Sequence, residues 1–170
     1  MKKALLVIDL QNDYLWQKRQ NKFTYDSDKL ISSVNHIIQE YKDNGYDIIY
    51  IAHIIQNLWT NRILFGFSIK GTEGAKLYNK LNIVSEYYFE KMLPDAFTSN
   101  KLKKFIVENQ YERIAICGID ECGCVSATAK GALKNGLSVE MITEGIASVF
   151  SSKRVERFRI KLKKHGVKYI

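Results

Sequence analysis

The sequence is poor in proline, cysteine and histidine, with one, three and three of them in 170 residues, and it contains no long apolar run. The single proline, Pro94, excludes proline-rich linkers. Cys117, Cys122 and Cys124 fall within eight residues of one another, an odd and crowded set that makes a poor disulfide framework and predicts a reducing, cytoplasmic home. His36, His53 and His165 are scattered, and C-x-C offers two ligands where a structural zinc takes four, so neither metal nor cofactor is expected. No stretch approaches the roughly 20 apolar residues of a membrane span. The basic start, Lys2-Lys3, leads into only five apolar residues before Asp9, too few for a signal-peptide core, so no membrane partner is expected.

What is present is a 46% hydrophobic chain of a length that suits one domain over residues 1–170. Its net charge of +8 is local: the last 20 residues hold eight basic side chains against Glu156, which accounts for +7 of it. The only aromatics there are Phe158 and Tyr169, so no stacking platform for bases is evident, and a solvated helix face is the better reading than a nucleic-acid partner.

Residues 4–10 (ALLVIDL) form a continuous apolar run of strand length, as expected of a strand buried on both faces. In residues 28–44, Leu30, Ile31, Val34, Ile37, Ile38 and Tyr41 recur at three- and four-residue spacing, which predicts a helix capped by Asp28 and stopped by Gly45. Further strands are expected at 46–55, 87–89, 113–119, 139–143 and 167–170, with helices at 99–109 and 124–135 and over the basic segment after 151. This alternation predicts an α/β fold, a mainly parallel sheet covered by helices on both sides. Residues 56–74 are the one long irregular stretch, and Trp59, Phe65 and Phe67 give it apolar material for a pocket wall or a subunit contact.

Ligands of an open parallel sheet bind beyond the carboxyl ends of its strands. Asp9 closes the first strand, Lys91 follows the short third, and Cys124 lies just beyond the fourth, so all three are expected at one edge. A cysteine at a helix N-terminus is favoured as thiolate, a carboxylate within reach can take its proton, and a lysine holds the negative charges together. The N–H groups of residues 118–124 are placed to wrap a developing oxyanion. Plainer readings exist for each residue: a first-strand acid can merely cap a helix, a lysine after a short strand is commonly solvated, and Cys117 inside an apolar strand reads as core.

Three separated motifs resemble the isochorismatase-like cysteine hydrolases, a group with nicotinamidases, N-carbamoylsarcosine amidohydrolase and ureidoacrylate or biuret amidohydrolases. They are ALLVIDLQNDY (4–14), KMLPDAF (91–97) and GIDECGCVSATAKGALKNG (118–136), with GTEGAKL (71–77) a weaker fourth. The resemblance implies a three-layer α/β/α fold with a six-stranded sheet in order 3-2-1-4-5-6. It also implies Cys124 as nucleophile, Asp9 as general base and Lys91 as charged partner. A cis peptide between Ile119 and Asp120 is implied too, aiming the Asp120 and Cys124 N–H groups at the oxyanion. Gln11, Asp13, Tyr14, His53, Trp59 and Phe97 are candidate pocket residues, and a homodimer or homotetramer is the expected assembly.

Departures from the family pattern narrow the activity. Similar nicotinamidases bind a metal through Asp-x-His after strand two, where this sequence reads His53-Ile54-Ile55-Gln56. Asp95 stands where serine is usual, and Glu121-Cys122 where Thr-Asp is usual. The expected activity is hydrolysis of a C–N bond in a small amide, carbamoyl or ureido compound through a thioester. The alternatives are an inactive binding or regulatory member of the fold and a nicotinamidase or pyrazinamidase despite the missing ligands.

Overall fold

The computed structural model describes residues 2–170. Six strands, β1 (Lys2–Ile8), β2 (Asp47–His53), β3 (Tyr88–Lys91), β4 (Tyr111–Ile119), β5 (Ser138–Ala147) and β6 (Lys168–Tyr169), form one sheet in the order β3-β2-β1-β4-β5-β6. Every pairing is parallel. The order reverses between β1 and β4, which puts the C-terminal ends of these two central strands at the switch point where ligands bind.

Alternation along β1 builds both cores at once, because successive side chains point to opposite faces. Leu5 and Val7 meet Leu30, Val34, Ile37 and Ile38 of α2 (Ser27–Asp43) on one face. Ala4, Leu6 and Ile8 lie in the opposite core with residues of α4 (Asn100–Glu108), α5 (Ser126–Lys134) and α6 (Ser152–Lys164). Each buried leucine, isoleucine or valine among these contributes roughly 1.5–3 kcal/mol. Cys117 is fully buried in the α2-side core. Gly118 is required where β4 pairs with Ile8 at the end of β1: at φ +124°, a Cβ there would stand 2.1 Å from the Ile8 carbonyl oxygen.

Several boundaries differ from the sequence expectations. The cap of α2 is Asp26, which accepts from the Lys29 N–H at 3.0 Å, while Asp28 instead pairs with Lys80. A short helix α1 (Asn12–Leu15) follows β1 directly. The irregular stretch holds α3 (Trp59–Leu64), none of whose residues is buried. The segment that carries Cys124 forms a wide turn over Glu121–Val125 before α5 begins, and β5 runs to Ala147 rather than 143. Among the described residues no helix is long and apolar enough to cross a membrane.

Candidate active site

Asp9 follows β1 in the left-handed region, at φ 55°, with its N–H donating to the Ile51 carbonyl at 2.8 Å. Aspartate is among the few L-residues that tolerate this conformation. Lys91 closes β3, in register with His53 of β2. Cys124 sits in the turn beyond β4. The three side chains converge: Lys91 Nζ lies 2.9 Å from Asp9 Oδ2 and 3.2 Å from Cys124 Sγ. Asp9 Oδ1 is buried and has no hydrogen-bond partner.

Burial and charge set the protonation states. Burial penalises the Lys91 ammonium, but the Asp9 charge, Cys124 and the hydrogen bonds to both outweigh it, so its pKa is raised and it stays charged. The Cys124 thiol is pushed up to about 12, first by burial and then by the Asp9 carboxylate, against the opposing pull of Lys91. The helix N-terminus therefore does not make a resting thiolate here, because desolvation and a neighbouring negative charge outweigh it. Burial, then the Lys91 charge, lowers His53, so its imidazole is neutral.

A cavity of about 140 Å³ opens on this cluster, with Asp9 and Cys124 at its base and Tyr14, Phe23, Tyr25 and Phe150 among its walls. Asp120 also lines it, and the Ile119–Asp120 peptide bond is cis. The Asp120 carboxylate accepts from the Cys122 N–H at 2.8 Å and from the Val149 N–H at 2.6 Å. It thereby ties the Cys124 turn to the segment after β5 that presents Phe150.

Of the six expected pocket residues, Tyr14 is in the cavity wall. Its hydroxyl shares hydrogen bonds with Ser68 Oγ at 2.7 Å and His53 Nδ1 at 3.4 Å, so His53 stands behind it. Gln11 is fully buried and ties chains together: its side chain accepts from the His53 N–H and donates to the carbonyls of His53 and Ala75. Asp13 accepts from the Ser68 N–H. Phe97 is packed in the core, and Trp59 points outward with 75% of its surface exposed. These five do not line the cavity.

Phe23, Tyr25, Val149 and Phe150 are wall residues that sequence reasoning did not single out. Reading β5 through to Ala147 would have put Phe150 beyond a strand's carboxyl end. Phe23 and Tyr25 lie in a loop whose fold depends on Arg19, which donates to the carbonyls of Leu15, Trp16, Phe23 and Tyr25. An arginine gathering four carbonyls leaves no periodic trace in a sequence.

A metal does not fit beside this cluster. At the end of β2, His53 is the sole histidine, and its ring nitrogens face Tyr14 Oη and the Met92 carbonyl. Among the described residues no three His, Cys, Asp or Glu side chains form a group that could hold a metal ion.

A six-stranded parallel sheet covered on both faces, with a thiol, a carboxylate and an ammonium beyond its strand ends, defines the class as a three-layer α/β protein. The chain belongs to the isochorismatase family, a family of hydrolases: the isochorismatase domain matches residues 3–167. It is similar to an uncharacterized isochorismatase family protein, PncA, of Bacillus subtilis, 27% identical over 161 residues covering 87% of each chain. A probable inactive nicotinamidase of Arabidopsis thaliana is 26% identical over 158 residues, 85% of this chain and 80% of that one. Among solved structures, the pyrazinamidase of Pyrococcus horikoshii in complex with zinc superposes with a TM-score of 0.79, at 26% identity, over 100% of this chain and 99% of that one.

Proposed function

We propose that the protein is a cysteine hydrolase that cleaves the C–N bond of a small amide, carbamoyl or ureido compound. The observation that carries this reading is the Lys91 ammonium bridging a buried carboxylate and a thiol at the base of a cavity. Asp9 Oδ1, which has no other partner, takes the Cys124 proton as the sulfur attacks the substrate carbonyl carbon. Burial and the Asp9 charge hold the thiol's proton in place, so Asp9 has to take that proton during turnover. The oxyanion is held by the Asp120 and Cys124 N–H groups. As the C–N bond breaks, Asp9 returns the proton to the leaving nitrogen, which departs as ammonia or an amine and leaves a thioester on Cys124. Water then attacks the thioester with Asp9 again as base, giving the acid and the free thiol. Lys91 stays protonated throughout and stabilises whichever partner carries the negative charge.

The walls select a small substrate with an apolar flank against Phe23, Tyr25 and Phe150. Similarity to a pyrazinamidase supports an amide as the scissile group. An inactive binding protein on this fold has no need of a lysine and an aspartate buried together behind a thiol, an arrangement that costs desolvation energy. The test is ammonia release over a panel of nicotinamide, pyrazinamide, ureido acids, biuret and carbamoyl amino acids. Release by the wild type and none by C124A is expected; equal release by both, or none by the wild type across the panel, overturns the reading.

A further inference from the structure

We propose that Arg159, on the basic C-terminal helix α6, is a positioning residue that holds the nucleophile turn in its reactive geometry through an ion pair with the buried Glu121. The proposal rests on the reading of Cys124 as nucleophile and assigns a task to one charge of that basic helix.

Glu121 lies between Asp120, which lines the cavity, and Cys122, inside the turn that carries Cys124. Its side chain is 2% exposed. The Arg159 guanidinium meets it in two-point fashion, Nε at 2.6 Å from Oε1 and a terminal nitrogen at 2.8 Å from Oε2. This fork geometry fixes direction as well as distance, which a single-point lysine cannot do. The Glu121 carbonyl accepts from Ser126 Oγ at the start of α5, so the same residue is gripped at both its side chain and its backbone. Behind the guanidinium, the Tyr169 ring of β6 lies 5.5 Å away and restricts its movement. The turn is thus held from two sides: Asp120 ties it to the β5 end, and Arg159 ties it to α6.

A carboxylate at position 121 has no electrostatic reason to be buried unless a cation is delivered to it. α6 delivers that cation from its inner face, while Arg157 on the same helix is exposed. Glu121 reaches neither Asp9 nor Lys91 by any hydrogen bond, so the pair acts on catalysis by where it keeps the Cys124 sulfur and the nearby N–H groups.

The experiment compares R159M, R159K, the double variant E121Q/R159M and the control R157M. Two readouts are used: steady-state hydrolysis of a substrate from the amide panel, and the pH dependence of Cys124 alkylation by iodoacetamide. R159M is expected to lose about 100-fold in kcat with little change in KM, the scale of penalty for a displaced catalytic group. Its alkylation profile is expected to shift to lower pH, since a loosened turn exposes a thiol whose pKa burial holds up. The double variant leaves no buried charge unpaired, so it recovers thermal stability without recovering kcat. R159K recovers part of kcat, more than R159M retains, and R157M matches the wild type.

Wild-type kcat and an unshifted alkylation profile in a folded R159M or double variant would overturn the proposal. So would recovery of kcat in step with stability, because that marks a purely structural contact. Failure of the hydrolase reading is distinguishable: the wild type then turns over no amide, and the alkylation profiles alone decide for or against Arg159.

Discussion

Asp9 and Lys91 form an ion pair almost wholly withdrawn from water, their side chains 4% and 0% exposed and their charged atoms 2.9 Å apart. Neither charge has solvent to fall back on. The pair is therefore a commitment of the fold to the chemistry at its edge, and its two halves have separable consequences.

Replacing Asp9 by asparagine removes the proposed base together with the negative charge that helps hold the thiol neutral. Lys91 remains and favours the thiolate. D9N is expected to lose turnover by about 100-fold or more while Cys124 becomes faster to alkylate at neutral pH. Rates of ammonia release and of iodoacetamide labelling, measured on the same preparation, check both directions.

Replacing Lys91 by methionine leaves the Asp9 carboxylate buried and alone. The expected loss of stability is about 3–5 kcal/mol, the range found when one partner of a buried pair is removed. Urea unfolding of K91M against wild type measures it, and D9N/K91M is expected to be more stable than K91M because no unpaired charge remains.

Gly118 offers a purely steric prediction. With φ at +124° and a built Cβ 2.1 Å from the Ile8 carbonyl oxygen, G118A must push β1 and β4 apart next to Asp9. A loss of about 3 kcal/mol or more is expected, read as a lowered unfolding midpoint.

Stability should fall at alkaline pH. The Cys124 thiol is raised from an ordinary 9.0 to about 12, and burial raises Cys117 as well. The folded state therefore holds these protons more tightly than the unfolded chain. Their contribution is present below pH 9 and is lost progressively as pH climbs towards 12. Melting temperatures measured from pH 8 to pH 11 are expected to decline, and C117A is expected to show a shallower decline.

The sheet was legible in the sequence because both of its faces are buried, so β1, β2 and β4 each contain a continuous apolar stretch, and the ends of β1 and β4 place Asp9 and Cys124. Lys91 was legible through its motif and its place after a short strand. The cavity walls were less so. Trp59 looked like pocket material because it is large and apolar in a long loop, yet α3 turns it outward. Phe97 belongs to a turn whose Asp95 cap buries it in the core. The Glu121–Arg159 pair joins residues 38 apart that share no local pattern, and only the fold brings them together.

The central claim is that Cys124 carries the acyl group during turnover. Its most direct test is mass spectrometry of protein quenched in acid while hydrolysing a substrate, followed by peptide mapping. A mass gain equal to the acyl group of the substrate less the displaced thiol hydrogen is expected on the peptide at Cys124, and none at Cys117 or Cys122. Unmodified Cys124 throughout turnover, with C124A hydrolysing the same substrate at the wild-type rate, would contradict it.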